Sequence, residues 1–179
     1  ADIARDTNTL CATIGAPRFD DDNASSVSQK PGVAARFLKA WRAHGVDVTS
    51  RTRGTYAVVI ADAATRSVML AVDRFAIKTL CYTIDGPELS FSDRADCVAG
   101  RGKELNPQAI FDYLFFHVIP APRTIFKKVR RLPAAHALLI NEKGVQEIRH
   151  WPLRFDEYHH EPFEVAKDTF RTLIRDGVT

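Results

Sequence analysis

Asp73 and Arg74 stand side by side at the end of an apolar run, with Lys78 close behind. Three charges where a buried strand leaves its sheet suit either contact with an anion or substrate, or an internal ion pair that pins a loop. His150, His159 and His160 carry zinc- or nickel-binding side chains. However, adjacent His159 and His160 point apart in a strand and about 100° apart in a helix, so a solvated linker is the simpler reading and no metal site is expected. The run Lys127-Lys-Val-Arg-Arg131 offers charge for phosphates, yet its two basic pairs are split by Val129 and followed by Leu132-Pro133, as in a strand edge with charged flanks. Cys11 as a nucleophile needs a base and a low pKa, and no neighbour in the sequence identifies that base. The Gly-rich phosphate loops, the G-x-S-x-G elbow and the H-E-x-x-H zinc motif do not occur, so no site of those kinds can be read from motif alone.

The chain that must position these groups has 179 residues, 45% hydrophobic and 26% charged. That is ordinary globular composition, and enough length to bury a core without disulfides or metals. No apolar run approaches the roughly 18 residues of a spanning helix, so no membrane partner is expected and the expected location is cytoplasmic. The 25 Lys and Arg are interspersed with 22 acids for a net charge of +3, too weak a balance to imply nucleic acid. Cys11, Cys81 and Cys97 are odd in number and far apart, which indicates neither a disulfide framework nor a zinc ribbon.

Periodicity supplies the elements. Residues 9–16 are partly β-branched and closed by Gly15 and Pro17, a strand running into a loop. Val33, Phe37, Leu38 and Trp41 make one apolar helix face over 32–44, stopped by Gly45. Residues 55–61 and 67–72 form a hairpin of core strands, and 79–84 with 88–92 a second one around Asp85-Gly86. Asn106 caps and Pro107 opens a helix to His117 whose faces are nearly all apolar, as if held between layers. A third hairpin covers 136–151, and a last amphipathic helix 161–175. Hairpins with a few helices and no βαβ rhythm predict an α+β fold, antiparallel sheet covered by helices.

Two ordered stretches then carry a resemblance. Gly54-Thr-Tyr-Ala-Val-Val-Ile-Ala-Asp62 followed by Ala71-Val-Asp-Arg-Phe-Ala-Ile-Lys-Thr-Leu-Cys-Tyr82, and Val118-Ile-Pro-Ala-Pro-Arg-Thr-Ile-Phe through Leu132-Pro133, resemble the class II glutamine-amidotransferase domain of asparagine synthetases. The resemblance implies an N-terminal-nucleophile hydrolase fold, two antiparallel sheets stacked between helical layers. It also implies a two-part enzyme that hydrolyses glutamine and then uses the ammonia in an ATP-dependent amide-forming synthetase domain.

Several positions depart from that pattern. The family nucleophile is a Cys at the mature N-terminus, whereas this chain opens Ala1-Asp2. If Ile14-Gly15-Ala16 occupies the Asn-Gly-Glu stretch, Ile14 replaces the side-chain oxyanion donor and only Gly15 is kept. Val33 falls where an Asp would grip the glutamine ammonium, and an apolar residue there leaves that charge unpaired. Val72, Ala76 and Thr79 replace Arg, Gly and Pro. Truncation alone would not alter internal residues such as Ile14 and Val33.

The reading is therefore a domain over 1–153, degenerate or truncated, with 154–179 as a linker and first helix towards an absent synthetase domain. No catalytic residue is assigned, and Gly15, Asp73, Arg74 and Lys78 are the candidate substrate-binding residues. No cofactor is expected in this chain; ATP and Mg belong to the synthetase domain, the expected partner beside a possible homodimer. A noncatalytic scaffold or dimerisation module of the β-lactam synthetase or lasso-peptide cyclase type is the alternative.

Overall fold

The computed structural model describes residues 1–20, 32–100, 103–155 and 161–178. Among them, nine strands and four α-helices follow one another as β1 (Asp2–Arg5), β2 (Thr9–Phe19), α1 (Val33–His44), β3 (Thr52–Asp62), β4 (Ser67–Val72), β5 (Cys81–Asp85), β6 (Glu88–Ser92), α2 (Ala95–Val98), α3 (Pro107–Phe116), β7 (Arg130–Arg131), β8 (His136–Asn141), β9 (Gly144–Arg149) and α4 (Phe163–Val178), with a 3-10 helix over Gly45–Thr49. They build a six-stranded sheet ordered β1-β2-β3-β4-β8-β9 and a three-stranded sheet ordered β6-β5-β7, antiparallel throughout.

The central hairpin reads as a continuous apolar run because both of its faces are buried. Tyr56, Val58, Ile60 and Met69 point to one side and pack under Phe37, Leu38 and Trp41 of α1. Ala57, Val59, Leu70 and Val72 point to the other side and meet Leu80, Tyr82 and Leu132 around the small sheet. The short α2 packs against β5 and β6. The order is thus helix, sheet, sheet, helix, the α+β sandwich that the resemblance implies. The N-terminus of α1 is closed from a distance, since the Ala34 N–H donates to the Asp2 carboxylate at 2.9 Å, placing a negative charge at the positive end of the helix.

Two expectations need correction, and one strand is unanticipated. The strand from Thr9 does not stop at Gly15 and Pro17 but runs to Phe19, paired all the way to β3. Gly15 (φ +110°) and Gly54 (φ +80°) allow it: a Cβ on Gly15 would lie 2.2 Å from the Thr55 carbonyl oxygen, and one on Gly54 2.5 Å from that of Ala16. The first two hairpins fall in the two sheets that the resemblance implies, β3–β4 in the large one and β5–β6 in the small one. Strand β1 has no counterpart in the periodicity. Nor is α3 sandwiched: only Ala109 and Asp112 are buried, while Phe111, Leu114 and Phe115 are 59%, 70% and 68% exposed. Asp112 accepts from Gln108 within the helix at 2.8 Å and from Arg123 outside it at 3.0 Å, and the second bond fastens the helix.

Candidate functional site

The strand register brings Gly15 and Asp73 to the same end of the large sheet. Gly15 is paired with Tyr56. The Tyr56 N–H donates to Asp73 Oδ2 at 3.1 Å, and the Asp73 N–H returns a bond to the Tyr56 carbonyl at 2.9 Å. One row therefore crosses β2 and β3 and ends on the loop after β4.

Asp73 is 1% exposed and its carboxylate is saturated from within. Oδ1 accepts the N–H groups of Phe75 (3.0 Å) and Ile77 (3.2 Å), and Oδ2 that of Lys78 (3.1 Å) besides Tyr56. These four charge-assisted bonds wrap residues 73–78 around one side chain and hold Ala76 at φ +51°. The loop is pinned by backbone N–H groups and not by an ion pair. Arg74 sets its guanidinium over the Trp151 ring, 5.3 Å from the centroid, and Trp151 packs edge-on against Phe75 at 5.6 Å. Lys78 meets Asp73 through its backbone N–H.

Beside this row, between the two sheets, lies a hollow of about 230 Å³. Ile14, Ala57, Val59, Leu80 and Phe91 give it apolar walls, and Ser92 and Asp93 supply polar groups. Cys11 lies on the opposite face of the sheet, fully buried beneath α1. Burial, reinforced by the negative charge of Asp2, pushes its thiol up to about 12, so it carries no thiolate near neutral pH. Val33 also packs on the α1 side. A larger hollow of about 660 Å³ lies elsewhere, lined by Thr83, Asp85, Glu88 and Ser90 of the small sheet with Glu104 and Lys128, and none of the four candidate residues lines either hollow.

The remaining candidates separate. The ring Nε2 of His150 is 3.0 Å from the Val72 carbonyl, while His159 and His160 lie outside the described residues. Among the described residues no group of three or more His, Cys, Asp or Glu is placed to hold a metal ion. In the basic run, Arg130 and Arg131 form β7, and Lys127 pairs with Glu104. No helix among the described residues is long and apolar enough to cross a membrane.

The profile of the glutamine amidotransferase domain family matches residues 34–151, spanning β3, β4 and the Asp73 loop. The chain belongs to that family. The amidotransferase domain is related to asparagine synthetases: it is 23% identical over 147 residues to asparagine synthetase [glutamine-hydrolyzing] 1 of Bacillus subtilis, covering 79% of this chain and 22% of that protein. It is also 27% identical over 107 residues to a putative asparagine synthetase of Mycobacterium tuberculosis, covering 56% and 16%. The chain thus spans about a fifth of the length of these relatives. Among solved structures, the allosteric regulatory enzyme of purine biosynthesis shares the fold at a TM-score of 0.50 and 14% identity, over 84% of this chain and 31% of that one.

Tyr56 is the residue that sequence reasoning passed over. Its place in an apolar run marks it as core, but its role in joining Gly15 to Asp73 depends on strand register, which no local pattern encodes.

Proposed function

We propose that this amidotransferase domain is part of an asparagine-synthetase-type, ATP-dependent amide-forming ligase and does not itself release ammonia from glutamine. The observation that carries the reading is the inter-sheet hollow beside Gly15. A glutaminase must bind an ammonium and a carboxylate and stabilise an oxyanion. The Ile14, Ala57, Val59, Leu80 and Phe91 walls offer no polar side chain to a zwitterion, and the polar lining, Thr13, Ser92 and Asp93, includes no Lys or Arg for its carboxylate. The Cys11 thiol faces away. In this reading Gly15 and Asp73 preserve the backbone of a former substrate corner, Arg74 and Lys78 are the side chains left to contact a ligand there, and residues 1–153 form the domain.

The synthetase domain is the proposed partner. It supplies the ATP and Mg site, and residues 154–179 lead towards it in a cytoplasmic enzyme. The test is ammonia and glutamate release from glutamine by the full-length protein, beside amide formation with free ammonia or an amine. Amide formation without glutamine hydrolysis is the expected result.

A scaffold or dimerisation role is a second reading, favoured by two helices. Ile110, Phe111, Leu114 and Phe115 form an apolar stripe on α3, and none of the residues of α4 is buried, Phe163, Phe170 and Leu173 included. Contiguous exposed apolar surface of this kind marks interaction sites. Sedimentation of the purified domain alone and with a synthetase domain tests it, and a strictly monomeric, non-interacting domain contradicts it.

A further inference from the structure

His150, which follows β9, reaches back to the end of β4. Its Nε2 lies 3.0 Å from the Val72 carbonyl, and because a carbonyl only accepts, Nε2 carries the proton and Nδ1 is a bare acceptor. Nδ1 is buried without a hydrogen-bond partner. The next residue, Trp151, is held against Phe75 and beneath Arg74, and the His150 N–H donates to Ala135 at 2.9 Å. The chain leaving the last hairpin is therefore fastened to the Val72–Phe75 corner, where the Asp73 loop begins.

We propose that His150 is an acid-released clasp, which holds Trp151 on the Val72–Phe75 corner while its ring is neutral. Protonation would put a second N–H at Nδ1, in a buried position without an acceptor. The surroundings oppose the charge on balance. His136 from β8 and Arg74 from the β4 corner are repulsive; the Val72 carbonyl that accepts from Nε2 and, more weakly, Asp73, whose carboxylate is occupied by four backbone donors, favour the charge without outweighing burial. Glu147 on β9 faces His136 at 3.7 Å, not His150. Desolvation is the main cause holding the His150 ring below the ordinary imidazole range.

The chain has two tryptophans, Trp41 and Trp151, so emission corrected with the Trp151→Phe variant reports the clasp. Between pH 8 and pH 5 the proposal expects Trp151 emission to move towards that of an exposed indole. The midpoint should lie below the ordinary imidazole value and coincide with that of the His150 ring protons followed by NMR, with far-UV circular dichroism unchanged. His150→Gln, whose amide can still donate to Val72 and does not titrate, should remove the step. A Trp151 step that survives His150→Gln overturns the proposal. So does titration of His150 with Trp151 emission unmoved, or loss of secondary structure in the same step. Should the variant fail to fold, coincidence of the two midpoints in the natural sequence decides the matter, and separate midpoints reject the clasp.

Discussion

The backbone N–H of Tyr56 donates to the Asp73 carboxylate at 3.1 Å, while the Asp73 N–H donates to the Tyr56 carbonyl at 2.9 Å. This reciprocal pair closes the end of the large sheet and gives the charge of Asp73 an internal use. Three more N–H groups converge on the same two oxygens. Asp73→Ala strands the buried Tyr56 N–H and three part-buried donors at once, so it is expected to cost about 3 kcal/mol in urea denaturation, since a buried unsatisfied group costs roughly 1–3 kcal/mol. A loss under about 0.5 kcal/mol, within the range of ordinary surface substitutions, would assign the residue a different role.

Gly15→Ala places a methyl group 2.2 Å from the Thr55 carbonyl oxygen at φ +110°. Relief requires β2 and β3 to part at the row that leads to Asp73. The expected loss is about 3 kcal/mol, the scale of a strained backbone position. Unchanged thermal stability would mean that the strands separate there at no cost.

The fold sorts the three thiols by exposure: Cys11 and Cys81 are buried and Cys97 is exposed. Burial raises the pKa of both Cys11 and Cys81. With an aromatic disulfide reagent at pH 8, one thiol should react fast and two only after denaturation. Fast labelling of Cys11 in the native protein would contradict its placement beneath α1.

Stability should fall as the pH drops below that of an ordinary imidazole. The folded-state pKa of His150 lies below its unfolded value of 6.5, so the unfolded chain takes up the proton first. The stabilisation is complete above pH 6.5 and is lost as the pH falls towards the folded value. Urea midpoints measured from pH 8 to pH 5 should show this slope, and His150→Gln should flatten it. A midpoint that rises over the same interval would contradict the sign.

Much of this arrangement is legible in the residues. The spacing of Phe37, Leu38 and Trp41 locates the buried face of α1, and the unbroken apolar run through Val58 and Ile60 announces a strand buried on both sides. Long-range pairing is not legible. Gly15 resembles a strand terminator until Gly54 is seen to relieve the opposite side of the same ladder. The four residues of β1 carry no period of their own, and Asp2 caps α1 across 32 positions. The apolar character of α3 shows that something can cover it, but not whether this domain does so. In the site, the charges at Asp73 and Arg74 stand out in sequence, whereas the backbone donors that saturate Asp73 appear only once the loop is folded.

The central claim concerns the hollow beside Gly15, whose Ile14, Ala57, Val59 and Leu80 walls are apolar and whose lining includes no Lys or Arg side chain for the carboxylate of glutamine. Steady-state release of ammonia and glutamate from glutamine by the full-length protein tests it most directly. The expected rate is indistinguishable from that of buffer, with amide formation still supported by free ammonia or an amine. Saturable, stoichiometric release of ammonia and glutamate would contradict the claim and return the domain to glutaminase chemistry.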